Sequence, residues 1–342
     1  VSEGRPADLR WRWSRPRTEV TGVKHLIFCV GFGLLIGCGL AQADETPTSV
    51  PFRTGKKRAL LLPVKVADSI DAEFLLDTGL GFNLISPQLA KKLGMEPTPN
   101  YKVRPIRGGE LDLAQGRLSS LALGNLKESD QEVVVGEPRC FVGHDGETKV
   151  DGILSLAFFR NHPFTLDFVN QKVVLEDSES LAKRKAAGKR VECRLSDENV
   201  VASVSLMLKE RAPAPEKPGG LAGLLSTFSG GPPDPPKAWV QVDTGCESLQ
   251  LDSKLMFTLR IDATGGNVTE AETTDQNGVR YRSWTSRMGS VELSDNPTLA
   301  QEKSPVVFRK LLAEGVVGQE FLRHYTVTFD LPASELIFAK NP

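Results

Sequence analysis

Two stretches of the sequence carry the same triplet: Phe74-Leu75-Leu76-Asp77-Thr78-Gly79 and Val240-Gln241-Val242-Asp243-Thr244-Gly245. Each sets an acid straight after an apolar run, so the carboxyl ends a strand and is partly desolvated. Thr adds a hydroxyl for local hydrogen bonds, and Gly lets the chain turn where a side chain would clash. One such loop makes one carboxyl group. Two such loops face to face can bring Asp77 and Asp243 within hydrogen-bond reach. Like charges that close cannot both ionise easily, so the pair holds one proton. The charged member then takes a proton from a water while the protonated one donates to a carbonyl. That is general acid–base hydrolysis of an amide, with no metal, no cofactor and no covalent intermediate.

Each triplet must be positioned by its surroundings, and those surroundings repeat. DGILSLAFFRNHPFTLDF begins at Asp151 and EGVVGQEFLRHYTVTFDL at Glu314. A shift of 163 lays Gly152 on Gly315, Phe158 on Phe321, Arg160 on Arg323, Thr165 on Thr328 and Asp167 on Asp330. The triplets themselves lie at a shift of 166. The order in each half is hairpin, triplet, variable middle, then a Gly-apolar-apolar element, which is a two-fold duplicated plan.

Strand-like runs dominate. ALLLPVKVA and AEFLLDTG flank a polar turn, FTLDF and KVVLE flank Val169-Asn170-Gln171, and both read as hairpins. RLSSLALG and QEVVVG read as further strands. PQLAKKLG reads as a short helix, and SESLAKRKAAGK as a helix or charged linker. VASVSLML should pair with KAWVQVDTG across a Pro/Gly-dense stretch, residues 210–237, too rich in breakers for regular sheet. Composition favours a tolerated surface insertion there. The resulting plan is a signal segment 1–43, a short leader 44–57, a first lobe 58–180, a linker 181–194 and a second lobe 195–342.

The halves resemble the retropepsin-like and pepsin-like aspartic peptidases, especially the bacterial group with two Asp-Thr-Gly halves in one chain. The resemblance rests on FLLDTG with GILS and on VQVDTG with GVVG, and spans roughly residues 58–176 and 195–340. It implies an all-β, bilobal acid-protease fold: two pseudo-two-fold related, β-barrel-like lobes with a cleft between them. By that resemblance Asp77 and Asp243 are the catalytic dyad. Thr78 and Thr244 interlock the two loops, while Gly79 and Gly245 permit the turns. Gly152, Ser155, Gly315 and Gly318 belong to a psi-shaped crossing behind them. The implied function is an aspartic endopeptidase acting on peptide or protein substrates. A hairpin flap would cover the cleft, with Arg107-Gly108-Gly109 and Asp275-Gln276-Asn277-Gly278 as candidate tips.

The sequence departs from the family pattern at three places. Ser155 stands where Gly is frequent, and Leu80 and Cys246 follow the triplets where Ser, Thr or Ala is usual. A hydroxyl there would bond the carboxylate and lower its pKa. These departures define the alternative: a catalytically inactive acid-protease-like protein that binds peptide. A second alternative is an exported scaffolding protein that uses the Pro-rich stretch as its contact.

The 342 residues carry a formal net charge of −1, with no basic block in the body of the chain to engage nucleic acid. Arg5, Arg10, Arg12, Arg15, Arg17 and Lys24 precede an apolar run, Leu26–Leu40, and Ala41-Gln42-Ala43. That is a secretory pattern, predicting an exported, periplasmic or extracellular protein. Leu35-Ile36-Gly37-Cys38 resembles a lipobox, so lipid tethering at Cys38 is the other reading. Three cysteines, Cys140, Cys193 and Cys246, remain beyond it and form no disulfide framework. His144, His162 and His324 are scattered, with no zinc-binding spacing. Cys246 reads as a small buried thiol. Both triplets lie in one chain, so a monomer suffices.

Overall fold

The structure is a computed structural model that describes residues 47–141, 149–196, 200–209, 234–274 and 280–342. The signal segment 1–43 with Cys38, most of the 210–237 insertion, the flap candidate at Asp275–Gly278 and His144 lie outside the described residues. The described part of the leader forms two short strands, Ser49–Pro51 and Arg53–Thr54. Among the described residues no helix is long and apolar enough to cross a membrane.

The chain is mostly β and bilobal, with short helices at Pro87–Lys92, Ser178–Ala187, Lys254–Thr258 and Gln319–Leu322. In the first lobe Leu60–Val66 points Pro63 and Lys65 outward and buries its other residues, the two-residue period of a half-buried strand. It pairs with Ile70–Leu76, which delivers Asp77 at its end. Ile70–Leu76 also pairs in parallel with Gly152–Leu154, and that strand pairs antiparallel with Leu84–Ile85. The second lobe repeats the arrangement. Ala202–Lys209 pairs with Lys237–Val242, the strand that delivers Asp243. Lys237–Val242 runs parallel to Gly315–Val317, and Leu249–Asp252 lies antiparallel on the far side.

The two lobes differ in closure, which corrects the expectation of two barrel-like lobes. In the first, the thirteen-residue strand Leu111–Leu123 pairs with Leu126–Val135. Its end also returns to Leu60–Val66 through Lys65↔Ala122 and Val66↔Leu121, so the sheet closes into a ring. In the second lobe the corresponding strand is broken at Met288-Gly289. Arg280–Arg287 pairs with Pro305–Arg309, while Ser290–Leu293 pairs with Ala202–Lys209. The return strand is broken too: Lys303 takes a left-handed φ of 51°, and the following strand begins at Pro305, which lacks an N–H. The second sheet is therefore an open path.

A third sheet joins the lobes. Its order is Ser49–Pro51, Lys172–Leu175, Phe164–Asp167, Tyr325–Asp330, Glu335–Lys340 and Lys189–Glu192. At its centre Thr165 faces Thr328, the positions matched in the sequence repeat, and their hydroxyls lie 2.6 Å apart. The Phe164 and Phe329 rings stack at 4.8 Å, nearly parallel, and Phe159 stacks on Phe164 at 4.0 Å. Phe164→Ala should therefore cost about 3–5 kcal/mol, the range for emptying a buried aromatic site. Urea denaturation checks this; a loss below about 1 kcal/mol would show that this stack does not hold the lobes together.

Candidate functional site

The two triplet loops lock into each other. Thr78 N donates to Thr244 Oγ1 at 3.1 Å and Thr244 N donates to Thr78 Oγ1 at 3.0 Å. Each hydroxyl then donates across to the other strand: Thr78 Oγ1 to Val242 O at 2.8 Å and Thr244 Oγ1 to Leu76 O at 2.9 Å. Both threonines are fully buried. Each hydroxyl thus serves as acceptor and donor at once, and Ser alone could replace it in both roles.

The glycines permit the close approach. A Cβ on Gly79 would lie 2.4 Å from Asp243 Cγ, and one on Gly245 would lie 2.6 Å from Asp77 Oδ2. Each N–H is also used: Gly79 N donates to Asp77 Oδ1 at 2.9 Å and Gly245 N to Asp243 Oδ1 at 2.6 Å. Asp77 is buried and Asp243 is partly exposed.

The two carboxyl groups interact strongly. Burial, the charge of Asp243 and its hydrogen bond push Asp77 well above the ordinary carboxyl value of 3.8. Burial raises Asp243 as well. The bond from Asp77, the N–H groups of Gly245 and Cys246, and the nearby Arg107 guanidinium oppose that rise. The pair therefore holds one proton between its two carboxyl groups. A site of this kind presents one O–H donor and one charged acceptor to whatever lies in the cleft.

The crossing behind the loops is formed. Asp77 N bonds Leu154 O and Asp243 N bonds Val317 O, each at 3.0 Å. Gly152 and Gly315 sit where a Cβ would strike Leu84 O and Gln250 O, and Gly318 where it would strike Cys246 O. Ser155 is accommodated differently. Its N–H and hydroxyl both donate to Asn83 Oδ1, at 3.0 and 3.2 Å. Asn83 is 1% exposed and was not singled out from the sequence. The same holds for Gln319, whose Nε2 donates to Thr244 O at 2.7 Å and to Arg58 O at 2.8 Å. Its one sequence signal is its place next to Gly318.

Leu80 is not a projection into the cleft. It is buried against Leu61, Leu75, Leu84 and Ile153, and belongs to the apolar wall of the first lobe. Cys246 and Cys193 are buried free thiols. Burial pushes the Cys246 thiol up to about 12, so it stays protonated. Gln250 Nε2 donates to its sulfur at 2.9 Å. His162 meets Glu128 at 2.7 Å rather than either thiol. Among the described residues no group of His, Cys, Asp and Glu could hold a metal ion.

Of the two flap candidates, the turn holding Arg107-Gly108-Gly109 joins Thr98–Val103 to Leu111–Leu123. Gly108 and Gly109 take φ of 85° and 83°, a conformation that favours glycine. The turn reaches the other lobe, where Leu312 N donates to Ile106 O at 2.8 Å.

Residues 62–158 match a family model described as Aspartyl protease. Two solved seed proteins are similar over most of the chain. Basic 7S globulin from soybean is 10% identical, covers 86% of this chain and 95% of its own, and has a TM-score of 0.47. Conglutin gamma, described as a unique basic 7S globulin from lupine seeds, is 11% identical, with coverages of 86% and 95% and a TM-score of 0.46. A retropepsin-like aspartic protease from Rickettsia conorii is 15% identical over 38% of this chain and 91% of its own, with a TM-score of 0.28. No curated protein matches the sequence.

The expectation of an aspartic endopeptidase, with the terms protease, peptidase and hydrolase attached to it, is corrected here. Of the three structures named above, two span 86% of the chain and bear the names of seed globulins, and the retropepsin-like protease spans 38% of it. Asp243 accepts from Gly245 N and has Arg107 nearby; both favour its charge, but burial outweighs them and leaves its carboxyl above the ordinary value.

Two measurements check the geometry. Thr78→Val leaves the buried Thr244 N–H and Val242 O without partners and should cost about 2–5 kcal/mol, whereas Thr78→Ser should cost less than about 1.5. Equal losses in urea denaturation would remove the interlock from the account. Asp77 has a raised pKa when folded, so its stabilising contribution is full below 3.8 and is lost as pH rises through the folded value. Asp77→Asn should therefore gain stability over wild type between pH 4 and pH 7. A difference that stays flat across that range would mean Asp77 ionises as readily folded as unfolded.

Proposed function

We propose that the chain is an acid-protease-like protein that binds peptide segments in the cleft between its lobes and does not hydrolyse them. The observation that carries this reading is the carboxyl pair held by the Thr78–Thr244 interlock. An extended peptide offers N–H donors and C=O acceptors in alternation. The protonated carboxyl of the Asp77–Asp243 pair can donate to one of its carbonyls and the charged one can accept from an N–H, while Gly79 and Gly245 keep the floor of the cleft free of side chains. The turn at Ile106 would lie over such a peptide. Non-hydrolysis is supported by the departures at Leu80 and Cys246, which follow the triplets where the family usually has Ser, Thr or Ala.

The finer parts of the reading belong to the same proposal. The lobes are taken as diverged copies related by a pseudo-two-fold axis, within the bacterial group that keeps both Asp-Thr-Gly halves in one chain. The matched repeat and the facing Thr165 and Thr328 support that. A monomer follows, since one chain supplies both loops. Export is supported by the secretory pattern in residues 1–43, with lipid tethering at Cys38 as its variant.

The test is calorimetric titration of the full chain with a random decapeptide pool at pH 7, followed by mass spectrometry after prolonged incubation. Peptides should bind and remain whole, and Asp77→Ala, which removes both donor and acceptor, should weaken binding by about tenfold, the loss of one strong hydrogen bond. Fragments whose appearance stops in Asp77→Asn would overturn the reading, as would the absence of any peptide binding.

A further inference from the structure

We propose that Arg309 and Arg107 form a carboxylate subsite on the second-lobe side of the cleft, so that the bound peptide carries an acidic side chain there. This rests on the peptide-binding reading above and adds the chemical class of the ligand.

Arg309 ends the strand Pro305–Arg309, which runs parallel to Leu249–Asp252. In that register Gln250 lies opposite Val307 and Asp252 opposite Arg309, which puts Gln250 and Arg309 on one face. Arg309 Nη1 donates to Gln250 Oε1 at 3.4 Å, and Gln250 in turn donates to Cys246 Sγ, next to the Asp243 triplet. The guanidinium also lies over the Tyr281 ring, 4.4 Å from its centre. The residue is only 9% exposed, yet Nε has no hydrogen-bond partner among the described residues.

A buried guanidinium with an idle N–H is costly, and proteins usually match one with a carboxylate. Here the acid opposite it is otherwise engaged: Asp252 accepts from Lys254 N and Leu311 N. Glu247 is engaged by Arg58 at 3.4 Å. Among the described residues neither Arg309 nor Arg107 has an ion-pair partner.

A second cation comes from the first lobe. The bond to Ile106 O from Leu312 N, three residues along the chain from Arg309, brings Arg107 to this side. Burial and, after it, the nearby Arg107 charge hold Arg309 below its ordinary value, and Arg107 also favours the charge on Asp243. Two guanidiniums that repel each other at the rim of a peptide cleft are relieved by an anion between them, and a planar carboxylate suits their fork of N–H groups. A peptide carries such a group as Glu or Asp.

The test uses two rhodamine-labelled decapeptide pools, random except for a central Glu in one and a central Gln in the other. Fluorescence anisotropy with the full chain at pH 7 should show the Glu pool binding about tenfold more tightly, with the gap shrinking as salt rises. Arg309→Met should erase most of that preference, the loss falling mainly on the Glu pool. Arg107→Ala should reduce it several-fold. Arg107 is exposed on its turn, so that variant decides the matter even if Arg309→Met fails to fold. Equal binding of both pools by wild type would overturn the subsite and leave peptide binding standing, provided that Asp77→Ala still weakens the Gln pool. If neither pool binds, both proposals fall.

Discussion

Everything at the centre of this molecule depends on two threonine hydroxyls with no solvent to bond. Thr78 and Thr244 lie at the ends of strands from different lobes, and each satisfies a buried N–H and a buried C=O belonging to the other. Neither loop can keep its shape alone, because each supplies the partners that the other lacks. That mutual need brings Gly79 against Asp243 and Gly245 against Asp77, and the contact in turn makes the carboxyl groups share a proton. The electrostatics of the cleft thus follow from a hydrogen-bond requirement that is itself uncharged.

Much of this was legible in the sequence, for a reason specific to the residues involved. An apolar run ending in Asp-Thr-Gly leaves few alternatives: a strand, a turn that only glycine fits, and an acid at its mouth. The repeat was stronger still. The alignment that set Thr165 on Thr328 and Phe158 on Phe321 rested on residue types alone, and Thr165 and Thr328 turn out to be register partners in the sheet between the lobes. The hairpins at Leu60–Leu76 and Phe164–Leu175 and the helix at Pro87–Lys92 also follow from local pattern, the helix being capped by Ser86.

What was not legible depends on partners distant in sequence. Asn83 and Gln319 look like ordinary surface amides, and nothing in their neighbours announces that one bonds Ser155 and the other bridges Thr244 to Arg58. The open second sheet was hidden for a similar reason. Gly289 and Pro305 are plain in the sequence, but whether such residues end a strand or merely bend it is decided by the strands beside them. Arg107 was seen only as part of a turn, and its electrical role exists only because Leu312 holds that turn across the cleft.

The sheet between the lobes has a consequence for how the protein comes into being. Phe164 must find Phe329, and Thr78 must find Thr244, across separations of 165 and 166 residues. Loop closure on that scale is slow, and sheets built from such distant pairings are among the slower topologies to form. Glu335–Lys340, which completes the pairing of Tyr325–Asp330, follows it in the chain. A growing chain therefore carries its first lobe with Phe164–Asp167 unpaired along one edge until Tyr325–Asp330 is made. An exposed edge of that kind is a template for joining a neighbour. During biogenesis the vulnerable species is thus a half-made chain, and the step that protects it is the arrival of its last strands.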